Sequence, residues 1–128
     1  MQPLKIALRQ RLIAAGVNGG NAIFDSLAPS GQAYPYLIVG YVGGGYESLT
    51  STDQRNEVWL VKAITDQHSQ AHELAQAIHA ALHQQPLSVA GWQHLWTAQL
   101  DHLWRVENSA RQQVYHAGGT FRIWLARA

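Results

Sequence analysis

Ala71-His72-Glu73-Leu74-Ala75-Gln76-Ala77-Ile78-His79-Ala80-Ala81-Leu82-His83-Gln84-Gln85-Pro86-Leu87-Ser88-Val89-Ala90-Gly91-Trp92 is the stretch on which the fold turns. Ala71, Leu74, Ala75, Ile78, Ala81 and Leu82 recur at helical spacing, so a helix is expected over about Asp66 to His83. Its apolar stripe is half alanine, which lets a helix sit close to a sheet. Gln84-Gln85-Pro86 stops it, because proline supplies no N–H and clashes with the preceding turn. A short apolar segment, Leu87-Ser88-Val89-Ala90, and then Gly91-Trp92 follow.

Upstream, Ala33-Tyr34-Pro35-Tyr36-Leu37-Ile38-Val39-Gly40 is a proline-stiffened entry into a strand. Tyr36 to Val42 is rich in β-branched and aromatic residues and apolar on both faces, and Asn56 to Thr65 forms a second strand. Between them, residues 43–55 (Gly43, Gly44, Gly45, Tyr46, then Glu, Ser, Thr and Asp through to Arg55) predict a long flexible loop. Residues 21–35 are expected to be irregular, with Pro29, Gly31 and Pro35 as breakers. At the start of the chain, Leu4, Leu8, Leu12 and Ala15 predict a helix from Pro3 that Gly16, Gly19 and Gly20 terminate. A second apolar line, Ile6, Ile13 and Val17, lies on the other side of that cylinder and offers a contact to a neighbour.

Two further strands are expected over Gln93 to Arg105 and Gln113 to Ala126, joined by Glu107-Asn108-Ser109. Phe121, Ile123 and Leu125 alternate with polar or small residues, and Gly118-Gly119 marks a bulge or kink. The expected fold is α+β in the order α-β-β-α-β-β, a largely antiparallel sheet with two helices packed on one face, in a single domain over residues 1–128.

Composition narrows the function. No cysteine is present, which removes disulfides, thiolate metal sites and cysteine nucleophiles, and suits assembly in a reducing cytoplasm. A net charge of +1 is unlike a duplex-binding protein, so sequence-specific nucleic-acid recognition is not expected. No signal-peptide pattern opens the chain, and no apolar run approaches the ~20 residues that span a bilayer. Only 13% of residues are charged, against roughly 25% in an average domain. With five tryptophans as well, that points to surface held against other protein, although Gln, His, Ser and Thr could solvate the surface instead.

His68, His72, His79 and His83 fall within about 60° of arc on one helix face and are the candidate metal ligands. The zincin pattern is missing, because Gln76 stands where the second histidine belongs and His79–His83 encloses no glutamate. Gly40-Tyr41-Val42-Gly43-Gly44-Gly45 lacks the Lys-Ser/Thr and following helix of a phosphate loop. Asp66 with His68, and Asp101 with His102, come without a nucleophile elbow. Arg105, Arg111, Arg122 and Arg127 gather near the last hairpin, either in local surface pairs or lining a partner contact.

The succession of these segments carries a resemblance. Tyr34-Pro35-Tyr36-Leu37-Ile38-Val39-Gly40, the Ala71–Leu82 helix, Pro86-Leu87-Ser88-Val89-Ala90-Gly91 and a terminal β-hairpin, over about residues 24–127, resemble the tail terminator (tail completion) proteins of long-tailed bacteriophages and prophages. That resemblance implies a structural protein of the virion tail without catalysis or cofactor. It would form a ring with itself, typically a hexamer, at the head-proximal end of the tail. It would end polymerisation of the tail tube protein and offer a docking surface to the head-completion or connector protein, with the genome passing through the ring. Ile6, Ile13, Val17, Gly43, Gly44, Gly45, Tyr46, Leu49 and Arg55 are the expected interface residues. Another ring protein of the head–tail junction, or a small metal- or ligand-binding α+β domain, are the alternatives.

Overall fold

The computed structural model describes residues 1–47, 51–109 and 112–128, with side-chain surroundings described outside 45–53 and 109–111. Its elements are α1 (Gln2–Ala14), a 3-10 turn (Val17–Gly20), β1 (Ile23–Asp25), β2 (Tyr36–Glu47), β3 (Ser51–Thr65), α2 (His68–Leu82), β4 (Trp92–Gln99), β5 (Leu103–Ser109) and β6 (Gln112–Arg127). Among the described residues the strands form one six-stranded sheet in the order β1-β2-β3-β6-β4, with β5 also on β6. Among the described residues only β1–β2 is parallel; the other pairings are antiparallel. The fold is α+β, as the periodicities imply, with two helices and a largely antiparallel sheet.

Both helices lie on one face. Leu4, Ala7, Leu8 and Leu12 of α1 and Leu74, Ile78, Ala81 and Leu82 of α2 share a core with Leu37, Val39, Trp59, Val61, Phe121, Ile123 and Leu125. The sheet residues of that core are odd-numbered partners across the ladders: Val39 opposite Val61, Trp59 opposite Phe121, Ala63 opposite Leu37. Each fully buried Leu, Ile or Phe is worth about 1.5–3 kcal/mol. Leu87 and Val89 of the segment after α2 also enter this core, so the Pro86 stop turns the chain inward. Gly16, at φ 73, ends α1 in the left-handed conformation that glycine adopts without strain.

Among the described residues, the opposite face carries a smaller apolar cluster at one end. There Ile38, Ile64 and Val114 pack against Phe24, Ala28 and Tyr36.

Several expectations are corrected. Residues 43–55 are not a long flexible loop: β2 runs to Glu47, β3 begins at Ser51, and Gly43, Gly44, Gly45 and Tyr46 pair with Val58, Glu57, Asn56 and Arg55. Gly44 is required because the strands cross closely there. After a register shift between Tyr41 and Gly43, Gly44 adopts φ 137, and a Cβ on it would sit 2.4 Å from the Asn56 carbonyl oxygen. Leu49 lies outside the described residues.

Secondly, the expected strand from Gln93 to Arg105 divides into β4 and β5, which occupy successive lengths of the same β6 edge. Asp101 fixes the step, its carboxylate accepting from the backbone N–H (2.9 Å) and hydroxyl (2.8 Å) of Thr120. The register of β6 against β3 is unbroken through Gly118 and Gly119, so these are no bulge. A Cβ on Gly119 would stand 2.3 Å from the Asp101 oxygen, and one on Gly118 2.2 Å from the Val61 oxygen; both glycines admit a neighbouring backbone.

Thirdly, the stretch 21–35 contains β1, whose parallel partner Leu37–Val39 is remote in sequence. Local pattern does not show such a pairing.

Candidate assembly surfaces

The β2–β3 arm is tied to the body through a buried carboxylate. Glu57 is inaccessible to solvent and accepts from the Met1 ammonium (2.7 Å), Arg55 Nε (2.6 Å) and Trp59 Nε1 (2.9 Å). Burial by itself would raise its pKa. The bonds from the terminal ammonium, Trp59 and Arg55 outweigh that and hold it below the ordinary carboxylate value. Arg55, expected at an interface, also binds within the subunit. Strand parity could have revealed Glu57, since it alternates inward with Trp59, Val61 and Ala63.

The second apolar line of α1 divides. Ile6 and Ile13 are 46% and 39% exposed, as a contact surface requires. Val17 is 2% exposed and part of the core, so it is removed from the expected interface set: the 3-10 turn after Gly16 folds it inward. Ile6 stands with Pro3, Gln10, Ser88 and Ala90 around a shallow cleft of about 410 Å³.

On the open part of the outer sheet face, Trp96 and Trp124 stack at 4.8 Å, a pair set by the β4–β6 register. The Arg122 guanidinium lies 5.8 Å from the Trp124 ring centroid, and its Nε is buried without a partner among the described residues. Tyr41 and Val42 are 51% and 58% exposed near the start of the arm. Of the other arginines near the last hairpin, Arg105 pairs with Glu107 (3.4 Å) and Arg127 lies over Trp92 (4.9 Å). Arg111 lies outside the described residues.

The four candidate metal ligands form two separate pairs. His72 stacks on Trp104 at 4.4 Å, and His68 meets Trp104 and Tyr115 edge-on, both at 5.4 Å. His79 and His83 stack on each other at 4.6 Å and are held by Gln99. Its backbone N–H donates to His83 Nδ1 (3.1 Å), and its side-chain oxygen accepts from His79 Nδ1 (2.5 Å). His83 therefore carries its proton on Nε2 when neutral. Among the described residues, no three His, Asp or Glu side chains converge on a metal-sized position. His72, His79, His102 and Trp104 instead border an open cleft of about 410 Å³.

A polar chain on the outer face escaped the sequence reading: Lys62 Nζ lies 3.2 Å from His116 Nδ1, and His116 Nε2 2.8 Å from Glu107. Burial, then the Arg105 charge, pulls the Lys62 ammonium below the ordinary lysine range, with Glu107 acting the other way. The hydrogen bond from His116 lowers Glu107. Neither the Asp66–His68 nor the Asp101–His102 neighbours form a hydrogen-bonded pair; Asp66 binds Gln112 (3.0 Å), and Asp101 binds Thr120.

The fold and sequence have relatives. A chain from the virion of a native gene transfer agent (GTA) particle superposes with a TM-score of 0.68 at 19% identity, covering 96% of this chain and 94% of that one. Another solved chain gives a TM-score of 0.59 at 11% identity over 99% and 94% of the two chains. At these identities the likeness is one of fold. No curated protein sequence matches. The family model described as tail completion protein gp17 matches residues 6–126, from within α1 to within the last strand, β6. The chain therefore belongs to the tail completion protein gp17 family, structural components of bacteriophage virions.

Proposed function

We propose that this protein is a tail terminator: copies of it close the head-proximal end of the tail tube as a ring, stop tube polymerisation and present the surface on which the filled head docks. The reading rests on the family match over residues 6–126. A tube of stacked rings exposes the same elongation surface after each addition, so termination needs a protein that binds this end and offers a different surface outward. The subunit has distinct surfaces for that purpose: the exposed isoleucines of α1, the β2–β3 arm, and the Trp96–Trp124 face. The expected interface residues Ile6, Ile13, Gly43, Gly44, Gly45, Tyr46 and Arg55 belong to the first two, and Leu49 stays in the expected set. The partners are further copies of the chain, in a hexameric ring, the tail tube protein and a head-completion or connector protein. The work is structural, with no catalytic step, and takes place in the host cytoplasm before the finished virion holds the ring.

Electron microscopy of particles from a strain lacking the gene tests the proposal. Filled heads beside unjoined tails, many longer than normal, are expected. Normal joined virions would refute it.

A further inference from the structure

The backbone of β2 carries an open edge. Towards its N-terminal end that edge is occupied by β1: Leu37 donates its N–H to the Ala22 carbonyl (2.8 Å), and the Val39 carbonyl accepts from Ser26 (3.0 Å). Odd residues of β2 thus address the β1 side, and Tyr41, the next in that series and still ahead of the register shift, does the same. By then β1 has ended at Asp25, and the chain turns away at Ser26 (φ 65). Among the described residues no backbone hydrogen bond reaches the β2 edge beyond Val39 from this side. An unpaired edge is a template for another strand, and proteins usually blunt it with lysine, proline or charge. Gly40 to Glu47 has neither lysine nor proline and a single charge at its end, and Gly43, Gly44 and Gly45 leave a neighbouring backbone room to approach.

The other end of the sheet supplies a complement. The β4 edge is capped over its last residues, where Gln84 donates to the Thr97 carbonyl (2.9 Å) and Gln99 to His83. The β5 edge is not: among the described residues its backbone bonds run only to β6, and Trp104 and Val106 are 42% and 44% exposed. The two open edges lie at opposite ends of one sheet. We infer that the β2 edge of one copy pairs with the β5 edge of the next, carrying the sheet from subunit to subunit. This is a heterologous contact, which closes when the rotation per subunit divides a full turn. It rests on the ring reading above and specifies the seam.

The absence of native cysteine makes the seam testable by cross-linking. Val42→Cys, Val106→Cys and the double variant are placed in the producing strain, and assembled tails are treated with a short thiol-to-thiol cross-linker. The double variant is expected to give a ladder of linked subunits ending in a closed species, and each single variant none. Dimers from Val42→Cys alone would show β2 paired with β2 and overturn the inference, as would unlinked double-variant subunits in tails of normal length. In the second case the terminator reading survives, so the two failures are distinct. A backbone test runs beside it. Tyr41→Pro deletes the outward N–H at a position where an edge strand tolerates proline, whereas Tyr41→Ala keeps it. Loss of the ring with Tyr41→Pro as a folded subunit, and its retention with Tyr41→Ala, is the expected result. Ring formation by a folded Tyr41→Pro would contradict the inference.

Discussion

At the scale of single residues, Glu57 concentrates more consequence than any position the sequence singles out. It is fully buried and answers the Met1 ammonium, Arg55 and Trp59 at once. Glu57→Ala leaves two cationic groups and an indole N–H facing an apolar hole, and removal of one member of a buried pair costs about 3–5 kcal/mol. Urea denaturation should show a loss of that size. Glu57→Gln fills the space but cannot balance the charge, and should fall between the two. The pH dependence has a definite sign. The folded-state pKa is depressed, so the contribution is fully present above the ordinary value of 4.5 and is lost as pH falls through the folded value. Between pH 6 and pH 3 the Tm of the parent should therefore drop further than that of Glu57→Gln. Parallel curves would show that the carboxylate's charge is not coupled to folding.

At the scale of elements, spacing carried most of the fold. The apolar lines of α1 and α2 and the alternation of Phe121, Ile123 and Leu125 correspond to the faces observed, since burial on one side imposes a period that survives in sequence. What was illegible depends on partners remote in the chain. Three residues of β1 have no period, and Gly43, Gly44 and Gly45 read as a turn because their extended state is imposed by Asn56, Glu57 and Val58 across the ladder. The division of β4 from β5 hangs on Asp101 meeting Thr120, which no local pattern announces. The arm gives a paired prediction. Gly44→Ala forces a Cβ to 2.4 Å from the Asn56 oxygen at φ 137, and should cost at least about 1–3 kcal/mol. Gly43→Ala meets nothing within 4 Å and should stay within about 0.5 kcal/mol in chemical denaturation. Equal effects would mean that the strands do not cross as closely as described.

At the scale of the whole molecule, composition points to exposed apolar surface without saying where it lies. Five tryptophans and few charges are consistent with the stacked Trp96 and Trp124 on one side and bare isoleucines on the other. The interface set expected from sequence mixed two physical classes, because a helix apolar on both sides does not declare where its last turn folds inward. Val17 belongs to the core and Ile6 to the surface, and substitution separates them. Val17→Asp buries an uncompensated charge and should unfold the subunit, which makes any tail phenotype uninformative. Ile6→Asp places the carboxylate at a 46% exposed site, where the Tm should stay within a degree or two of the parent. If α1 meets a neighbouring copy or the tube end, this folded variant should nevertheless reproduce the deletion, with long unjoined tails in electron micrographs. A desolvated carboxylate against apolar protein weakens assembly in the same way that it weakens a core. Ile6→Asp particles with normal tails and joined heads would free α1 from any contact and leave the arm and the sheet edges to hold the ring.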